Sequence, residues 1–271
     1  MLATLEALCR RLPPALGDPG AIACVGRARG TWIVTTSRAR LVIKRLGYER
    51  PPRFCARLLG RLAERPTPAC PALRHVVEEK DHWYALFDYV EGTVGPATRE
   101  TWRDAFALLA DWSALEVPAP ECELTSLWLD RLSRFAFHDE FAQRLVARLA
   151  RDRPTGPAVI AHGDFSAQNF CVTPSGLVLY DWEEMGAAPA GFDAGWVLAQ
   201  HRLGVMPDWR RAELASWLVD GGVPRASLDW YEGLGLARML FRSLTLPIAP
   251  LPRPRIVAHV RDAIASWQGA E

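Results

Sequence analysis

Between Ala158 and Glu183 three short apolar segments are threaded with polar residues at fixed positions, and few folds accommodate that order. Ala158-Val159-Ile160-Ala161 reads as a buried strand. It leads into the loop His162-Gly163-Asp164-Phe165-Ser166-Ala167-Gln168-Asn169. Phe170-Cys171-Val172 and Leu177-Val178-Leu179-Tyr180 then read as two strands joined by the Pro174-Ser175-Gly176 turn, and the second runs into Asp181-Trp182-Glu183. That hairpin returns Asp181, twelve residues after Asn169, to the neighbourhood of Asn169. A loop tied to strands at both ends can make three polar groups converge.

The types of those groups suit one chemistry. A carboxylate such as Asp164 accepts the proton of an attacking hydroxyl. Asn169 and Asp181 offer the hard oxygens that magnesium prefers when it sits on nucleotide phosphates. The competing reading is a polar loop whose Asp164 and Asn169 only bond turn amides.

Lysine usage adds a fourth residue. Lys44 and Lys80 are the two lysines of a chain with 32 basic residues. Lys80 beside Asp81 suits an exposed hairpin tip. Lys44 instead ends the apolar strand Arg40-Leu41-Val42-Ile43-Lys44. An ammonium on a flexible stem serves phosphates as a point charge, whereas arginine presents a planar fork. A solvent-facing strand lysine is the bland alternative.

With these residues in view the sequence resembles the aminoglycoside phosphotransferase and choline kinase family, distant relatives of the protein kinases. The resemblance rests on Val42-Ile43-Lys44, Leu86-Phe87-Asp88-Tyr89-Val90-Glu91-Gly92, the His162 to Asn169 run, Asp181-Trp182-Glu183, and Phe192-Asp193. It implies an α+β, protein-kinase-like, two-lobed fold. Residues 1–90 would form a nucleotide-binding lobe, a five-stranded antiparallel sheet with one helix. Residues 91–271 would form a larger, mainly helical lobe for catalysis and the acceptor. It further implies Asp164 as catalytic base, Asn169 and Asp181 as magnesium (Mg2+) ligands, and Lys44 on the α and β phosphates. The backbone of Asp88 and Val90 would meet the adenine edge, and His162 and Asp193 would support the catalytic loop.

The pattern along the chain agrees. Strands are expected at 21–25, 31–36, 40–46, 73–79 and 82–89, and a helix from Pro51 to about Glu64. Helices are expected around Trp102 to Trp112 with Thr101 and Asp104 as a capping box, then at 124–137, 140–151, 192–203, 209–219, 228–244 and 255–267. Met1 to Arg11 reads as a short amphipathic helix rather than a signal peptide, with Leu2, Leu5, Leu8 and Leu12 on one face. Six scattered cysteines read as reduced thiols, which places the chain in the cytoplasm. A net charge of +1 points to neither nucleic acid nor an acidic membrane surface, and no apolar run is long enough to span a bilayer.

Two departures from the family pattern stand out. The helix after Pro51 carries no acid in its middle to pair with Lys44, so Glu49, just before it, is the candidate. The segment 25–30 has two glycines and two arginines in place of a Gly-x-Gly-x-x-Gly phosphate loop. The eleven residues between Asp181 and Asp193 are too few for a peptide platform, which favours a small acceptor over a protein. Glu183, Glu184, Asp208, Asp229 and Glu232 are candidates to line a site for a cationic acceptor.

The reading is an ATP- and Mg2+-dependent phosphotransferase acting on a hydroxyl of a small molecule: an aminoglycoside or other antibiotic, an amino alcohol, a sugar or a related metabolite. The acceptor, the choice between ATP and GTP, and the oligomeric state stay open. The alternative is a catalytically weak nucleotide-binding module that acts through a protein partner. A metal hydrolase built on His162, Asp164 and Asp181 fits less well, because the other histidines lie in unrelated contexts.

Overall fold

Strand β1 (Pro19–Cys24), β2 (Thr31–Thr36), β3 (Arg40–Leu46), β4 (Leu73–Glu79) and β5 (His82–Asp88) form one antiparallel sheet in the order β1-β2-β3-β5-β4. The computed structural model describes residues 8–24, 31–46, 70–79, 82–95, 98–113, 117, 123–136, 139–206, 209–245 and 253–268. Glu49, the expected helix from Pro51 to Glu64, the 25–30 turn, Lys80 and Asp208 lie outside the described residues. The chain divides into two compact units, Met1–Pro96 with Asn169–Glu184, and Ala97–Gln168 with Met185–Glu271.

In the first unit, side-chain alternation sets which way Lys44 points. Successive strand residues face opposite sides of a sheet. Leu41 and Ile43 are fully buried, and Ile43 joins Trp32, Val34, Tyr84 and Leu86 in one apolar cluster. Leu8 seals that cluster from the N-terminal segment, with Leu12 packed against it. Burying each such large side chain stabilises the fold by about 1.5–3 kcal/mol. Lys44 therefore leaves from the opposite side of β3, in register with Thr31 on β2 and Ala85 on β5.

A second, three-stranded sheet belongs to the same unit. It is ordered β6 (Thr93–Val94), β8 (Phe170–Thr173), β9 (Gly176–Leu179). Gly92 approaches β8 so closely that a Cβ there would collide with the carbonyl oxygen of Val172. Only glycine fits.

The second unit pairs β7 (Ala158–Ala161) antiparallel with β10 (Gly186–Pro189) and surrounds the pair with helices. These are α1 (Arg99–Ser113), α2 (Leu124–Phe135), α3 (Glu140–Arg151), α4 (Phe192–Arg202), α5 (Arg211–Asp220), α6 (Leu228–Thr245) and α7 (Arg253–Gln268). α4 is apolar around most of its circumference and is buried from Phe192 to Gln200, as an all-round hydrophobic helix must be. It packs on α6 through Gly195, where a Cβ would collide with the Tyr231 carbonyl. The start of α1 differs from the sequence expectation. The hydroxyl of Thr98 accepts from the Thr101 N–H at 3.1 Å, so the helix begins earlier and Thr101 lies buried inside it.

Candidate active site

Lys44 enters the site from the middle of a sheet. Its ammonium pairs with Asp181 and lies 3.4 Å from Glu183, with its side chain only 13% exposed. Asp181 follows β9 directly and is the sole non-glycine residue with positive φ (69°) among the described residues. A left-handed conformation costs an L-residue roughly 1–2 kcal/mol and is tolerated best by Asp and Asn. Such strain persists where the surroundings fix it and often marks a functional position.

The surroundings here do fix it. The Tyr180 N–H donates to the Asn169 carbonyl at 3.0 Å, which holds buried Asn169 to the strand end that carries Asp181. After Asp181, the Trp182 indole donates to the Leu179 carbonyl at 2.8 Å and locks the short turn Trp182–Glu184. Glu183 therefore faces the same ammonium. Burial pushes its carboxyl up, Asp181 and Glu184 add to the rise, and Lys44 opposes it. Two carboxylates thus share one ammonium. The carboxylates of Asp181 and Glu183 and the amide of Asn169 are oxygen donors of the hard kind that magnesium prefers, and they are the residues that could hold it.

In the second unit β7 delivers His162, Gly163 and Asp164. Asp193, in the first turn of α4, accepts from the His162 N–H at 2.7 Å and the Gly163 N–H at 2.9 Å. Burial raises the Asp193 carboxyl; His162, the two amides and Arg238 pull it back. The Asp164 N–H donates to His162 Nδ1 at 3.2 Å, so that nitrogen acts as acceptor, and His162 is fully buried. Gln200 holds the Phe165 carbonyl at 2.8 Å. Phe165 itself is buried among Trp102, Trp112 and His162. The guanidinium of Arg238, boxed by the rings of Trp128, Phe192 and Trp196, donates to the Gly163 carbonyl.

One residue absent from the sequence reading of the site appears here, and another takes a different part from the one expected. Arg242 Nη1 donates to Asp164 Oδ1 at 3.1 Å. Glu183, read from sequence as an acceptor-lining acid, is instead an ion-pair partner of Lys44. Two more of the proposed cationic-acceptor acids are committed elsewhere. Glu232 is fully buried between Arg202 at 2.5 Å and Arg211 at 2.6 Å, and Asp229 pairs with Arg211 at 2.5 Å. Asp88, ending β5, is clamped through its side chain by Arg74 in two bonds of 2.7 Å, and its N–H donates to the Ala72 carbonyl at 3.0 Å. Val90 lies two residues on, half-buried.

Residues 25–231 match the family model described as the phosphotransferase enzyme family. No curated protein sequence matches the chain. Among solved structures, the fold is similar to that of choline kinase LicA from Streptococcus pneumoniae, with TM-score 0.66 at 13% identity, covering 97% of this chain and 99% of that one. It is similar to amicoumacin kinase hAmiN in complex with AMP-PNP, Ca2+ and Ami, with TM-score 0.66 at 14% identity, covering 98% and 92%. It is also similar to a thermostable mutant of aminoglycoside phosphotransferase APH(4)-Ia in a ternary complex with ADP and hygromycin B, with TM-score 0.63 at 13% identity, covering 98% and 99%. At these identities the likeness is one of fold, and that fold is the protein-kinase-like one.

Proposed function

The chain belongs to the phosphotransferase enzyme family, and from that premise we propose that it transfers the γ-phosphoryl group of ATP, with magnesium, to a hydroxyl of a small molecule. The observation that carries the reading is the ammonium of Lys44 held by Asp181, a strained carboxylate at the end of β9. A resting enzyme has reason to store its phosphate-binding cation and its metal-binding carboxylate against each other. Each neutralises the other until nucleotide and magnesium arrive together.

The residues take the following parts. Lys44 exchanges Asp181 for nucleotide phosphate oxygens. Asp181 and Asn169 would hold magnesium, which would supply positive charge against the negative charge of the phosphates. Asp164 accepts the proton of the acceptor hydroxyl as its oxygen forms the new bond to phosphorus. The bond from phosphorus to the bridging oxygen breaks, and its electron pair leaves with ADP. His162 and Asp193 act on Asp164 through the backbone as positioning residues. The Asp88 N–H is already used, so its carbonyl, with the Val90 backbone, serves the purine edge. Catalysis of this kind comes chiefly from positioning and charge stabilisation. GTP is the alternative donor, and the cytoplasm, with its nucleotide pool, is the proposed location. No helix among the described residues is long and apolar enough to cross a membrane.

Calorimetric titration with ATP, in magnesium and in EDTA, tests the nucleotide half of this reading. Wild type is expected to bind at least roughly tenfold more tightly with magnesium, and Asp181→Asn is expected to lose most of that difference. Equal affinity with and without the metal in wild type would contradict it.

A further inference from the structure

Arg242 stands beside Asp164 with no part in the scheme above. It lies on α6 one turn beyond Arg238, and the two arginines differ in setting. Arg238 is 1% exposed, boxed by three rings and bonded to the Gly163 carbonyl, so it is a structural brace. The Arg242 side chain keeps 20% of its exposure and that of Asp164 keeps 13%. Its guanidinium lies over the Trp196 ring at 4.9 Å, which fixes its plane, and its hydrogen bond reaches a single oxygen of Asp164. A guanidinium carries several N–H donors in a rigid fork suited to carboxylates and phosphates. The bond to Asp164 uses only one arm of it.

Bracing alone does not account for this residue. The loop bearing Asp164 is already held by Asp193 at two amides, by Arg238 at Gly163 and by Gln200 at Phe165. A polycationic acceptor would have to place its charge against a guanidinium, and like charges at such separations repel. Two of the acids suggested by sequence as counter-charges, Asp229 and Glu232, are neutralised by Arg202 and Arg211, and a third, Glu183, pairs with Lys44.

We propose that Arg242 is an acceptor-binding residue and that the acceptor carries an anionic group, carboxylate or phosphate, close to its reacting hydroxyl. The free arm of the fork holds the anion while Asp164 takes the hydroxyl proton. This inference rests on the phosphotransferase reading and narrows its acceptor class.

The test compares matched acceptors with ATP and magnesium: glycerate and glycerol 3-phosphate against glycerol, gluconate against sorbitol, and choline and kanamycin as cations. Wild type, Arg242→Gln and Arg242→Lys are assayed for ADP formation, with nucleotide affinity measured alongside. An anionic member is expected to be preferred over its neutral partner. Arg242→Gln is expected to lose roughly 10- to 100-fold in kcat/KM on the anionic member, mainly through KM, and distinctly less on the neutral one, which depends on Arg242 only through its contact with Asp164. Arg242→Lys, which keeps the charge and loses the fork, is expected to fall between, and it carries the test if Arg242→Gln no longer binds nucleotide. Glycerate and glycerol 3-phosphate separate carboxylate from phosphate. A preference for neutral or cationic acceptors, or an equal loss on every acceptor in Arg242→Gln, would overturn the inference. Turnover of a neutral or cationic acceptor alone would overturn the inference and leave the phosphotransferase reading standing, whereas silence across the panel with magnesium-dependent nucleotide binding intact would count against both. Absence of nucleotide binding in wild type would defeat both.

Discussion

Asp193 shows how one side chain shapes the loop that carries Asp164. It accepts two consecutive buried amides, from His162 and Gly163, 31 and 30 residues earlier in the chain. Removing it strands both donors, and each unsatisfied buried N–H costs about 1–3 kcal/mol. Asp193→Ala is therefore expected to lower the unfolding free energy by on the order of 3 kcal/mol, read from urea denaturation. A loss under about 1 kcal/mol would mean that the amides find other partners. Asp164, Asn169 and Asp181 stand out in the sequence by their spacing, Lys44 by the scarcity of lysine, and Asp193 through the family resemblance. Arg242 does not: it is one of thirty arginines, and its partner lies 78 residues away. Glu183 was visible as an acid, but its partner Lys44 belongs to a strand far earlier in the chain.

At the scale of elements, β2 was legible through alternation, with one face committed to a core, and β5 as a continuous apolar run, with Tyr84, Ala85, Leu86 and Phe87 all buried. β6 and β10 escaped notice for a physical reason. β6 is two residues long, and β10 reads Gly-Ala-Ala-Pro, with little strand propensity; each exists through its partner, β8 or β7. Helix caps were harder still. Glu123 caps α2 by accepting from the Thr125 and Ser126 amides at 2.9 and 2.8 Å, and Arg153 pairs with it. Burial pushes its carboxyl up, but the bonds from Ser126 and Thr125 prevail and the net shift is downward from 4.5. A carboxyl depressed in the folded state contributes stability that is present above its unfolded value and lost as pH falls through the folded one. Glu123→Gln is expected to cost about 1 kcal/mol at pH 7. That deficit should shrink as pH falls below 4.5, as followed by urea midpoints across acidic pH. A deficit that is constant with pH would assign the cap to shape rather than charge.

For the molecule as a whole, the resemblance carried by the motifs implied a kinase-like fold, and the order of strands followed by helices agreed with it. What pattern alone does not convey is that Asn169–Glu184, late in the chain, belongs to the same compact unit as Lys44. That membership comes from non-local pairing, β6 with β8 and Lys44 with Asp181. The same pairing supplies Lys44 with carboxylates from the Asp181–Glu183 segment. The central claim is that a chain so arranged transfers phosphoryl groups, with Asp164 taking the acceptor's proton. The most direct measurement is ADP formation by wild type and Asp164→Asn over a panel of hydroxylated acceptors, with magnesium-nucleotide affinity determined for both. The account predicts an acceptor-dependent signal in wild type that falls by roughly 10²- to 10⁴-fold in the variant, while nucleotide affinity is preserved. Equal, background turnover in both proteins, with nucleotide still bound, would contradict it and favour a binding module that works through a partner.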